Sequence, residues 1–76
     1  MSLYYVQTER GSAPIPDDGI EYADLASARI EIARTAAAWL CDRITDGTAE
    51  VSIYVTDGTG RELFTATATV AVSPLA

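Results

Sequence analysis

Four carboxylates lie close together in the sequence and come nearest to a chemical site. They are Asp17, Asp18, Glu21 and Asp24. Oxygen ligands of this kind suit a hard divalent cation, although the spacing differs from that of an EF-hand loop. Asp24 is also placed to cap a helix. We therefore interpret the segment as a solvated turn, with a small-ligand or divalent-cation site over residues 17–24 as the alternative.

The sequence lacks the residues that nucleophilic catalysis and zinc binding need. The sequence contains no His, and Cys41 is its only cysteine. A nucleophile needs an adjacent base, and one thiol cannot build a zinc site. Cys41 also falls near the end of an expected helix, where the helix dipole disfavours a thiolate. We predict a buried structural thiol, no catalytic residue, no metal or cofactor, and no enzymatic activity.

Charge and turn chemistry argue against nucleic-acid and phosphate binding. Eleven acidic residues against five Arg give a net charge of −6, which opposes nucleic-acid backbones and anionic membranes. The Gly-rich segment 57–60 lacks the Lys and the following helix of a phosphate loop, so it predicts a hairpin turn. We expect no nucleic-acid or membrane partner.

Length and hydropathy predict one domain over residues 1–76 in a cytoplasmic protein. No apolar run approaches the roughly 20 residues that span a bilayer, and the start lacks the pattern of a signal peptide. A core this small has a thin stability margin, which oligomerisation commonly increases.

The elements that must position these residues follow from hydrophobic periodicity. Residues 3–8 and 20–22 read as strands, residues 25–44 as a helix, and residues 50–56 and 62–72 as two further strands. This predicts an α+β fold: an antiparallel sheet of three to four strands with one helix packed on one face, in ββαββ order.

The register of the last hairpin is open at this stage. Pairing Thr56 with Arg61 would place Ile53 opposite Phe64. A one-residue bulge would instead turn Leu63 inward.

The helix is apolar over about 220° of its circumference, whereas a surface helix needs a stripe somewhat over 100°. Trp39, Ile32 and Ala28 form one shoulder of this arc, and the other consists of Ile30, Ala37 and Cys41. One sheet does not easily cover both. Trp39 and Ile32 are therefore candidate interface residues, with exposed Ala residues or covering loops as the alternative explanation.

Arg29 falls inside the apolar arc. Its stem could lie along the core with its head in water. The alternative is a structural ion pair with an acidic loop residue, for which Asp17 and Asp18 are the main candidates and Asp57 a third.

Several short motifs resemble a family of short bacterial proteins of unknown function. They are Tyr4-Tyr5-Val6, the segment 16–21 (PDDGIE), Asp24-Leu25, the segment 28–33 (ARIEIA) and the turn 55–61 (VTDGTGR). The family pattern reads roughly YFF, D-E-E-G-x-E, D-L-x-x-A-R-x-E-A and D-x-x-G-R. The resemblance implies the same strand–helix–strand order and no catalytic residue, and its Arg and acidic positions match Arg29, Asp17 and Asp18.

These observations favour a non-enzymatic interaction or regulatory module that self-associates. We expect a homodimer, formed either by pairing of the strand 62–72 around Thr67 or by packing of the Trp39 shoulder. An unidentified protein partner fits the same surfaces. The alternatives are the ligand or cation site above and, by fold analogy alone, an antitoxin-like partner protein.

Overall fold

The computed structural model describes residues 2–15, 17–44 and 47–72. Within those residues the chain forms four strands and one helix, in the order β1 (Ser2–Gln7), β2 (Ile20–Tyr22), α1 (Leu25–Cys41), β3 (Gly47–Thr56) and β4 (Glu62–Val72). The α+β class and the antiparallel sheet with a helix packed on it are confirmed. Residues 20–22, too short for a firm assignment by periodicity, do form a strand.

The helix begins where its capping residue predicts. Asp24 has extended backbone angles, and its carboxylate accepts a hydrogen bond of 2.7 Å from the N–H of Ser27. This bond satisfies one of the amide groups that have no partner in the first turn. The helix ends at Cys41, earlier than the predicted residue 44. There the N–H of Arg43 donates to the carbonyl oxygen of Leu40.

The strands lie in the order β2-β1-β3-β4, and every neighbouring pair is antiparallel. β1 bridges two partners: Tyr4 lies opposite Ile20 of β2, whereas Val6 lies opposite Val55 of β3. Consequently β2 and β4 are the two edge strands of the sheet.

The β3–β4 hairpin contains a register shift next to its turn. Val55 lies opposite Phe64, and Thr56 lies opposite Glu62, which leaves Leu63 as the extra residue of a bulge. Ile53 lies opposite Ala66, so the unbulged register, with Ile53 opposite Phe64, is wrong.

The core lies between one face of the sheet and α1. The alternating positions of β3 supply its centre: Ile53 and Val55 are at most 1% exposed. The other buried apolar residues come from β1, α1 and the middle of β3; they are Tyr4, Val6, Ala28, Ile32, Ala36, Leu40 and Val51.

Candidate interaction surface at the β4 edge

β4 is the longest strand and borders the sheet. It has eleven residues, of which only Glu62 is charged. Thr65, Thr67 and Thr69 are exposed, whereas the intervening Ala66 and Ala68 are half-buried toward the core. This alternation follows from the period of two in a strand.

The outer side of β4 has no strand partner among the described residues. Soluble proteins usually protect such an edge with Lys, Pro, inward charges or bulges. The bulge at Leu63 protects only the start of the strand, and residues 64–72 contain neither a charge nor a Pro. The remaining length is therefore open to pairing with another strand.

Contacts across the sheet hold β4 in place from its other side. The hydroxyl groups of Ser52 and Thr67 lie 3.1 Å apart, which joins the centres of β3 and β4. Arg10 donates to the Glu62 carboxylate at 3.0 Å and lies over the Tyr54 ring, 5.1 Å from its centroid. The one charge on β4 thus already has a partner within the chain.

α1 carries an exposed row of small and apolar side chains. This row, called the α1 stripe below, consists of Ala26, Ile30, Ala33, Ala37 and Cys41, all of them exposed. Ile30, which is 54% exposed, is the largest side chain of this row. The spacing of four, three, four and four residues places all five on one side of the helix.

A shallow hollow of about 280 Å³ shows where the α1 stripe lies relative to the sheet. Arg29, Ala33 and Ala36 line it from the helix, and residues 64–67 line it from β4. Ala33 is thus the member of the α1 stripe that lies next to β4, and it is the central one of the five.

The predicted interface residues of the helix are placed differently. Ile32 is only 2% exposed and packs on the sheet, so its assignment as an interface residue needs correcting; Trp39 is half-buried against the same core. The shoulder left exposed is the one formed by Ile30, Ala37 and Cys41. Cys41 is correspondingly exposed, which corrects the expectation of a buried thiol. Thr67 lies exposed at the middle of β4.

The structure does not bring Arg29 together with Asp17 or Asp18. Among the described residues, the ion pairs join Arg10 to Glu62 and Arg34 to Glu31. Arg29 is exposed beside β4, whereas the two acidic residues precede β2 at the opposite edge of the sheet. The separation of the two edges accounts for the missing contact.

The carboxylates of the acidic segment also have separate surroundings. Asp24 caps α1, and the hydrogen bonds from Ser27 lower the pKa of its carboxyl group. Glu21 lies exposed on β2. Across the part of the chain that the structure describes, no three acidic or thiol side chains are arranged to hold a metal ion.

A second acidic side chain organises the turn between β3 and β4. The Asp57 carboxylate accepts from the N–H and hydroxyl of Thr59 and from the N–H of Arg61, at 2.8, 2.6 and 3.1 Å. Hydrogen bonds from Thr59 are the main cause of the lowered pKa of Asp57. The segment 57–60 is thus a hairpin turn, and its carboxylate is used to hold it.

Two tyrosine rings pack together on β1 and β2, the two strands farthest from β4. The rings of Tyr4 and Tyr22 meet edge to face, with centroids 5.6 Å apart. Burial, and secondarily the Glu31 carboxylate, raises the pKa of Tyr22. Both rings contribute to the core between the sheet and α1.

Among the residues that the structure describes, no helix is long and apolar enough to cross a membrane. Comparison with curated proteins and with solved structures gave no match. A family model described as a domain of unknown function (DUF6894) matches residues 3–69, which is most of the chain. The match includes all the segments whose motifs resemble a family of proteins of unknown function, from Tyr4 to Arg61. The chain therefore belongs to this family of domains of unknown function.

Proposed function

We propose that this domain is a non-enzymatic interaction module of a cytoplasmic protein, and that it self-associates as a homodimer by pairing β4 with β4 of a second copy. The observation that carries the proposal is the edge of β4. It is long, it lacks a strand partner among the described residues, and it has no charge or Pro from Phe64 to Val72. Such an edge is a template for another strand.

Antiparallel pairing about a twofold axis is the arrangement that uses most of this edge. Twofold symmetry is the commonest for soluble homo-oligomers, and it makes each copy contribute the same surface. An axis passing beside Thr67, the midpoint of β4, would pair the strand along most of its length. The product is a continuous eight-stranded sheet with both helices on the same face.

The side chains available for chemistry support a non-enzymatic role. The sequence has no His to serve as a base. The Asp24 and Asp57 carboxylates accept backbone hydrogen bonds that stabilise the helix start and the turn. Cys41 lies exposed at the carboxyl end of α1, and the sequence offers no His to activate it as a nucleophile.

Sedimentation equilibrium at micromolar concentration tests the proposal. We expect twice the chain mass of 8.1 kDa, and a monomer would reject the dimer. Thr67→Lys places like charges opposite each other at the axis, so it should weaken the dimer at least about tenfold. Thr67→Gln is the matched control, since it is similarly long but uncharged; it should leave the dissociation constant within about twofold.

A further inference from the structure

We infer that the α1 stripe is the second layer of the same dimer interface, so that α1 packs against α1 of the second copy above the paired β4 strands. This inference rests on the proposed β4 pairing and names the helix surface that completes it. The occupant of the α1 stripe is therefore a second copy of this chain.

The position of α1 above the sheet makes such a contact geometrically possible. The helix packs mainly on β3 and β4 and meets β2 as well. A helix axis centred over β3 and β4 would lie about 5 Å from the outer edge of the sheet, given a strand spacing of about 4.8 Å. A twofold axis perpendicular to the sheet would then set the two helices about 10 Å apart. Packed helices are separated by about 8–10 Å, with the shorter values where side chains are small.

The midpoints of the two elements coincide. Thr67 is the central residue of β4 and Ala33 is the central residue of α1, and both line the same hollow. One axis can therefore pass beside both residues. The helices run antiparallel across it, which places Ile30 of one copy against Ala37 of the other, a large side chain against a small one.

An interface of the usual size also requires both layers. β4 is about 36 Å long and its edge about 10 Å high, which gives at most about 350 Å² per copy. The α1 stripe adds about 250 Å² over a helix about 25 Å long. The sum of about 600 Å² per copy reaches the lower limit of about 1,200 Å² in total for a specific interface. Strand pairing alone would fall well short of it.

The α1 stripe also explains the width of the apolar arc on the helix. Half of that arc, centred on Ile32, is buried on the sheet. The other half is the α1 stripe, which the sheet leaves exposed in the single chain. Dimerisation would remove Ile30, exposed over 54% of its surface, from water.

Two neighbouring alanines provide the test. Ala37 belongs to the α1 stripe, whereas Ala38 is exposed on the other side of the helix. Ala37→Glu places a charge against Ile30 of the second copy, and we expect it to raise the dimer dissociation constant at least about tenfold. Ala38→Glu is the matched control and should change it less than about twofold.

A crosslinking measurement keeps the test independent of any effect of Glu on folding. In a Cys41→Ser background, Ala33→Cys should be joined to its copy by a thiol crosslinker about 8 Å long, which matches the helix separation. Ala38→Cys in the same background should not be joined.

The outcomes separate the two proposals. A monomeric wild-type chain overturns the self-association and the inference that rests on it. A wild-type dimer that Thr67→Lys dissociates, but in which Ala37→Glu behaves like Ala38→Glu and Ala33→Cys does not crosslink, overturns only the role of the α1 stripe.

Discussion

The ring of Tyr5 lies directly against Gly19, whose φ angle is +78°. A Cβ atom added to Gly19 would lie 3.1 Å from two atoms of the ring, and the other side of the ring approaches Gly58. Tyr5 therefore connects the loop before β2 with the turn between β3 and β4. Glycine suits position 19 for two reasons: the backbone has a positive φ there, and the Tyr5 ring leaves little room for a Cβ atom.

Gly19→Ala should therefore destabilise the domain more than Gly11→Ala. Both glycines have φ of +78°, but a Cβ at Gly11 would meet nothing within 4 Å. The positive φ costs an L-residue about 1–2 kcal/mol, and crowding against Tyr5 should add about 1 kcal/mol at Gly19. Urea unfolding of both variants measures the difference, and equal losses would show that the ring moves away without cost.

Acid should reduce the stability through Asp24 and Asp57. Hydrogen bonds lower the folded-state pKa of both carboxyl groups from the ordinary value of 3.8. Their contribution is therefore fully present above that value and is lost as the pH falls through the lower folded-state pKa. Thermal unfolding as a function of pH should show the midpoint falling in this acidic range.

The double substitution Asp24→Asn with Asp57→Asn should flatten that pH dependence. Asn is also a good N-cap, because its side-chain oxygen accepts the same hydrogen bond. Asp24→Ala should lower the midpoint at neutral pH as well, because it removes the acceptor itself. An unchanged acid profile in the double variant would show that other groups cause the pH dependence.

Arg29→Ala should leave the free energy of unfolding of the monomer nearly unchanged. Arg29 is exposed and belongs to neither of the ion pairs that the described residues form. Surface substitutions of this kind change stability by less than about 0.5 kcal/mol. Urea unfolding below the dimer dissociation constant tests this expectation, and a loss of several kcal/mol would mean that Arg29 has a carboxylate partner in solution.

The fold class could be predicted from the sequence because two kinds of periodicity agree with it. Val51, Ile53 and Val55 alternate with polar residues and are all buried. Asp24 marks the start of α1 and caps it as expected. These signals are local, since each depends only on residues a few positions apart.

The orientation of α1 could not be predicted in the same way. An apolar arc of about 220° has two halves, and periodicity does not show which half the sheet covers. The sheet covers the half with Ile32, which leaves Ile30 and Cys41 exposed. The bulge at Leu63 likewise depends on how the Asp57 carboxylate closes the turn onto Arg61, which a pattern of alternation does not contain.

Salt should strengthen the proposed dimer. Each copy has a net charge of −6, so two copies repel each other, and this repulsion weakens as the Debye length falls from about 30 Å at 0.01 M salt to about 3 Å at 1 M. The proposed interface consists mainly of uncharged side chains of β4 and the α1 stripe, Arg29 lines the hollow between them, and the nearby Glu62 is already paired with Arg10. Sedimentation equilibrium in increasing NaCl should therefore give a falling dissociation constant, whereas an interface made of intermolecular ion pairs would give a rising one.

The double substitution Asp17→Asn with Asp18→Asn is a sensitive control for this salt dependence, because it removes two charges at the sheet edge opposite β4. It should tighten the dimer at low salt and leave it unchanged at high salt, and a change that persists at high salt would place those residues in the interface.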